Sequence, residues 1–245
     1  MFIEKHGNGK NIYAGFHGWS GDHHTFDTLV SFLPPDSTFF SYDLPGCGNS
    51  PEPESWNSEH LTSMLLNSLQ KIALNPITLI GNCSGAILGL MVAKKNHQLF
   101  SRLVLVDPFA YMPWYFSIFL NKYIGKHAYS LTFTNSVGRW ITNVSLKAKR
   151  TEHSNLTKSF EKVNHTSVYQ YLKILGEVEG AFQFKGLSMP IDILYGERTF
   201  NAVKNSIKIW KNVFPQANTY ELKGAGHLPL EESAIHVAKI LFKSQ

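Results

Sequence analysis

Gly81-Asn82-Cys83-Ser84-Gly85 places a thiol between two glycines, and the flanks of this segment decide what the thiol can do. Upstream, Pro76 to Ile80 is a short apolar run of the kind that forms a buried parallel strand; downstream, Ala86 to Ala93 reads as a helix. Strand, tight turn and helix form the context in which a G-x-nucleophile-x-G segment presents its central side chain. The glycines keep the crowded turn clear, and the helix that starts there aims N–H groups and its positive end at the reacting centre. Such surroundings favour thiolate over thiol. The expected chemistry is attack on an acyl carbon, which also needs a base and donors for an oxyanion.

Other segments supply elements that would position these groups. Ile12 to Phe16 reads as a strand running into His17-Gly18-Trp19-Ser20-Gly21-Asp22, and Thr38 to Tyr42 as another running into Asp43-Leu44-Pro45-Gly46-Cys47-Gly48-Asn49-Ser50. Arg102 to Val106 is a strand ending at Asp107-Pro108, Ile191 to Gly196 a later one, and Thr219 to Leu222 precedes Gly224-Ala225-Gly226-His227. Helices are expected at Ala202 to Val213 and from about Ser233 to Lys243. Strands alternating with helices predict a mostly parallel sheet covered on both faces. In this order the strands, the His-Gly loop, the Asp-x-Pro-Gly loop, the nucleophile turn and the late Gly-x-Gly-His resemble the α/β-hydrolase superfamily. The resemblance implies an α/β-hydrolase fold with a helical cap inserted after the sixth strand. It divides the chain into a core at 1–108, a cap at 109–187 and the rest of the core at 188–245.

The resemblance also implies roles. Cys83 would be the nucleophile and His227 the base, the Gly-x-Gly-His setting distinguishing it among 11 histidines. The backbone N–H groups of Ser84 and Trp19 would form the oxyanion hole, with His17 and Asp43 ordering their loops. The third triad member departs from the pattern, because Gly196-Glu197-Arg198-Thr199 puts Thr199 where the family carries an Asp. Asp107, Glu197 and an acid-free Cys83–His227 dyad are the alternatives. A thiol with a free pKa of ~8.5 depends less on a strongly polarised base than a serine does. The His-Gly loop also resembles, over a short stretch, esterases that demethylate carrier-bound acyl chains and menaquinone-pathway enzymes that eliminate pyruvate.

Composition bounds the remaining choices. With 245 residues and 43% hydrophobic content, the chain is long enough for one sizeable core. No apolar signal region opens it, and the longest apolar cluster, Tyr111 to Leu120, is shorter than the ~20 residues that span a bilayer. Two cysteines do not make a disulfide framework, so a cytoplasmic location is expected. No zinc spacing, phosphate loop or dinucleotide fingerprint is present, so no metal, cofactor or nucleic-acid partner is expected. Aromatic residues crowd the cap, and Trp114, Tyr115 and Phe119 are expected to line an apolar site for a lipophilic acyl chain. The basic run at Lys147, Lys149 and Arg150, with a net charge of +5, suits an acidic acyl carrier protein, coenzyme-A phosphates or an anionic membrane. Three functions follow: a hydrolase of an ester or thioester, an acyltransferase with the same Cys-His chemistry, and a non-catalytic binding protein of hydrolase fold.

Overall fold

The computed structural model describes residues 1–242; Lys243, the expected end of the last helix, lies outside the described residues. Seven strands form one sheet among the described residues: β1 (Ile3–Gly7), β2 (Asn11–Phe16), β3 (Ser37–Tyr42), β4 (Ile77–Asn82), β5 (Phe100–Val106), β6 (Ile191–Gly196) and β7 (Asn218–Leu222). Their spatial order is β1-β3-β2-β4-β5-β6-β7, with β1 antiparallel to β3 and every other neighbouring pair parallel.

Residues of the central strands alternate between two cores because successive side chains on a strand point to opposite faces. Leu103 and Leu105 of β5 join one core with Ile12, Ala14 and Phe16 of β2, whereas Val104 and Val106 join the other with Tyr13. Helices α1 (Ser58–Ile72), α2 (Ser84–Lys95), α3 (Trp114–Leu120), α4 (Gly125–Tyr129), α5 (Ser136–Ser145), α6 (His165–Gly176), α7 (Asn201–Val213) and α8 (Ala234–Leu241) complete the longer elements. Leu61, Leu65 and Leu69 of α1 recur at helical spacing in the first core, and Val237, Ala238 and Leu241 of α8 close the second.

Beneath α8 lies a buried ion pair. Arg102 Nε donates to Asp192 Oδ2 at 2.8 Å, and its two terminal nitrogens donate to the carbonyls of Leu241 (3.0 Å) and Ile240 (2.8 Å). One guanidinium thus satisfies a carboxylate and the orphan carbonyls at a helix end.

The segment between β5 and β6 contains helices and turns but no strand, as the resemblance to capped hydrolases implies. It follows the fifth strand of this chain, not the sixth, since a single strand, β1, precedes β2. Edge position explains why β1 escapes a reading by hydrophobic pattern: Ile3-Glu4-Lys5-His6-Gly7 is half exposed and mostly polar. Asn164, in a glycosylation-like triplet, caps α6 by accepting the N–H groups of Thr166 and Ser167.

Candidate active site

The carboxyl ends of β4, β5, β6 and β7 converge, which is where open parallel sheets form crevices. Cys83 follows β4 in a left-handed conformation, with φ 51° and ψ −109°, and α2 begins at the next residue. Its N–H donates to Val106 O at 2.8 Å, tying the turn to β5. Glycine is required on both sides: a Cβ at Gly81 would stand 2.5 Å from Ala86 Cα, and one at Gly85 would stand 2.2 Å from Phe16 O. Strain at Cys83 is therefore enforced by close packing of strand, turn and helix.

His227 follows β7, and its N–H donates to Lys149 O at 2.8 Å. Its Nδ1 donates to Asp107 Oδ2 at 2.7 Å, and the ring lines the same cavity as the Cys83 thiol, which is near enough to act on its charge. Asp107 is fully buried and also left-handed, with φ 48°. Its carboxylate is saturated from three sides, since Gly196 N–H donates to Oδ1 at 3.0 Å and the Thr199 hydroxyl donates to Oδ2 at 2.5 Å. Burial opposes a charged His227, yet the hydrogen bonds from Asp107 and Cys83 and the charges of both push its pKa up to about 10.

Of the alternative acids, the structure brings only Asp107 to the imidazole. Glu197 is turned away, its Oε2 accepting the N–H of Gly224 at 2.8 Å. Thr199 enters the cluster in a way its side chain alone does not suggest. Its oxygen lies 3.1 Å from His227 Nδ1 while it donates to Asp107, so it bridges acid and base from the position where the family has its Asp. The sequence signal was the departure itself: a hydroxyl at that position fits when the charge comes from across the strands. Lys149, read from sequence as part of a basic run, holds the site from the inserted segment. Besides accepting from His227, it donates from Nζ to Thr199 O at 3.2 Å.

The loop after β2 closes the other side. His17, held below its ordinary pKa by burial, donates from Nδ1 to Gly18 O (2.8 Å) and accepts the Leu44 N–H at Nε2 (3.1 Å). Asp43 fixes the next loop by accepting from His23 N, His23 Nδ1 and Asn49 N. A Cβ on Gly18 would come within 3.4 Å of Cys83 Cβ, so the Gly18-Trp19 backbone passes beside the thiol. Ser84 is the first residue of α2, where an N–H has no intrahelical acceptor. The Trp19 side chain serves packing: Nε1 donates to Val168 O of α6 at 2.8 Å, and the indole meets Phe116, Phe133 and Phe160 edge to face.

Above the thiol lies a cavity of about 550 Å³. Its walls are mostly apolar and include Cys83, His227, Tyr115, Phe119, Phe133 and Phe160. Trp114 does not line it. As the first residue of α3 it points outward and is 77% exposed, because helical rotation gives the inner face to its neighbours Tyr115, Phe116 and Phe119. Two buried polar atoms in the lining, the Tyr115 hydroxyl and Asn82 Oδ1, have no protein partner. Burial, and then the negative charges of Tyr111 and Cys83, push the Tyr115 phenol up to about 12, so it keeps its proton. Among the described residues, no group of three or more His, Cys, Asp and Glu side chains is placed so that it could hold a metal ion.

The model of the alpha/beta hydrolase fold family matches residues 16–234. The chain belongs to this family. Among curated proteins it is similar to a pimeloyl-[acyl-carrier protein] methyl ester esterase of Neisseria meningitidis, 27% identical over 101 residues, or 41% of this chain and 31% of the relative. Matches to curated relatives span about a third of those proteins' lengths. Among solved structures, a thermophilic esterase from Thermogutta terrifontis aligns with a TM-score of 0.80 at 19% identity, covering 98% of this chain and 90% of that one. MenH from S. aureus aligns with a TM-score of 0.80 at 17% identity, covering 98% and 96%. These structural likenesses carry the fold.

Proposed function

We propose that this member of the alpha/beta hydrolase family is an esterase-type enzyme that cleaves an ester or thioester of a lipophilic acyl group through a thioacyl-enzyme on Cys83. The observation that carries this reading is the aligned Cys83, His227 and Asp107 opening into an apolar cavity of about 550 Å³, a size that suits a small organic ligand. A non-catalytic role has less support, because the acid missing at Thr199 has a counterpart in Asp107, hydrogen-bonded to His227.

In the proposed sequence, Cys83 passes its proton to His227 and its sulfur attacks the acyl carbonyl carbon. The carbonyl oxygen takes up the electron pair and is held by the N–H groups of Trp19 and Ser84. Collapse re-forms the carbonyl, and the leaving alcohol or thiol departs with the proton from His227. Acylation then alters the base. With the sulfur esterified, the Cys83 contributions that raise the His227 pKa disappear, while burial still lowers it and Asp107 still raises it. The imidazole falls back toward neutrality and takes a proton from the attacking water, and the second tetrahedral adduct releases acid and thiol. Asp107 holds the imidazolium throughout, with Thr199 fixing the carboxylate.

The segment 109–187 acts as a cap on this site, with Tyr115 and Phe119 contacting the acyl part. Tyr115 supplies a hydrogen bond to a polar group of the substrate. Delivery on an acidic carrier protein fits the basic residues of the cap and the carrier-bound ester in the name of the meningococcal relative. Mass spectrometry of the protein after exposure to a panel of acyl esters and thioesters tests the proposal. An acyl adduct on Cys83 that water clears supports a hydrolase; clearance only on adding an alcohol, amine or thiol indicates an acyltransferase. An undiminished adduct in Cys83→Ala refutes the assignment of the nucleophile.

A further inference from the structure

Helix α5 carries Val137, Trp140, Ile141 and Val144, a spacing of i, i+3, i+4 and i+7 that normally marks the face a helix buries. Here none of its residues is buried, and these four are 64%, 66%, 55% and 45% exposed. The pattern continues across the inserted segment. Trp114 and Ile118 lie one turn apart on the outer side of α3, and Tyr123, Ile124 and Leu131 are also exposed. Tyr111 and Ile118 are exposed yet line the cavity over Cys83, so this apolar surface runs into the cavity mouth. So many large apolar side chains left exposed in one segment beside the cavity mark a binding face.

Charge identifies what it binds. Between 109 and 151 the chain holds six cations and no Asp or Glu; Lys122, Lys126 and Lys147 are exposed, while Arg139, Lys149 and Arg150 are partly buried and donate to backbone carbonyls. Ordinary solvated surfaces mix both signs. Two copies paired through this face would oppose like charges. An acidic protein would match the cations but leave the broad Trp, Ile and Val surface without an apolar phase to enter. Anionic phospholipid satisfies both, since exposed indole and phenol rings settle at the headgroup level while lysines pair with phosphates. We propose that the exposed face of α3 and α5 is a peripheral docking surface for anionic bilayers, which turns the cavity mouth toward the lipid so that a lipophilic substrate enters without crossing water. Among the described residues no helix is long and apolar enough to cross a membrane, so the association is by one face of the folded protein.

The test uses the full chain and reads binding, not turnover, so its failure is distinguishable from failure of the esterase reading. Vesicles of phosphatidylcholine mixed with phosphatidylglycerol are expected to sediment the protein, weakly at high salt, and vesicles of phosphatidylcholine alone much less. Of the five tryptophans, Trp210 is fully buried, Trp19 and Trp56 are partly buried, and Trp114 and Trp140 are widely exposed, so a blue shift in fluorescence reports on the face itself. Trp114→Ser with Trp140→Ser should abolish the blue shift and weaken binding about tenfold or more. Lys122→Glu, Lys126→Glu and Lys147→Glu should each weaken it about fivefold or more. These side chains are exposed, and an unchanged thermal melt confirms that the variants fold. The proposal is overturned by absence of binding to the anionic vesicles, or by binding that these substitutions leave intact. A dimer that Trp140→Ser dissociates, or capture by an acidic carrier protein without vesicle binding, overturns it equally.

Discussion

Replacing Asp107 with Asn removes one charge and one lone-pair acceptor from a position that uses both. Oδ1 takes the Gly196 N–H, while Oδ2 takes the Thr199 hydroxyl and His227 Nδ1–H. An amide has one oxygen, so in either orientation an N–H₂ group confronts a donor. The rise of the His227 pKa from 6.5 to about 10 corresponds to on the order of 5 kcal/mol of net preference for imidazolium, shared between Asp107 and Cys83. An opposite charge at hydrogen-bond distance typically moves a pKa by about 1–3 units, roughly 1.4–4 kcal/mol, which predicts a loss of about ten- to a thousandfold in acylation for Asp107→Asn. The pH dependence sharpens the test. Because the imidazolium stabilises the thiolate, alkylation of Cys83 by iodoacetamide should begin at higher pH in the variant than in the parent. Thr199→Asp should partly rescue it, since a carboxylate there starts from a position whose oxygen is already 3.1 Å from His227 Nδ1. In the parent background the same substitution puts two carboxylates together and should impair activity. An Asp107→Asn enzyme with near-parental acylation and an unshifted alkylation profile would refute the reasoning and leave a Cys-His dyad.

Other outcomes follow from the same contacts. His227 has a folded-state pKa above its ordinary 6.5, so its contribution to stability is complete below about pH 6.5 and is lost as pH rises through about 10. Thermal melts across that window should therefore show a decline that is smaller in His227→Gln. Arg102→Ala leaves Asp192 buried without its partner and uncaps α8, which should cost about 3–5 kcal/mol in urea unfolding with the active-site geometry intact. Equal stability of that variant would show the pair to be dispensable. Tyr115→Phe removes a hydroxyl that has no protein partner, so stability should be unchanged or slightly higher while kcat/KM falls about tenfold. A loss of stability with unchanged kinetics would mean that the hydroxyl serves the fold and not the substrate.

Sequence pattern and tertiary structure contributed different things. Apolar runs made the central strands β2 to β6 legible, since a strand buried on both faces must be largely apolar, and the Gly-x-Gly-His segment after it made the edge strand β7 legible. β1 was not legible, because its partner β3 covers it on one edge only and its composition stays polar. The aromatic residues of the segment between β5 and β6 were visible as a class, but their sorting was not: Tyr115 and Phe119 face the cavity while Trp114 faces out. That division depends on the rotation of a seven-residue helix packed against Trp19, which no local spacing specifies.

The sequence by itself determined that Cys83 would occupy a strained turn before a helix, because only glycine at 81 and 85 permits the close approach of strand and helix there. It also determined that His227 would sit on a glycine-lined loop after the last strand. Which acid meets that histidine was decided by tertiary structure. Asp107, Thr199 and His227 stand 92 and 120 residues away from one another along the chain, counted from Asp107, and they converge only because β5, β6 and β7 are parallel neighbours ending at one level. Charge balance across strands is a property of their register, and register is set by the packing of the whole sheet between its two layers of helices.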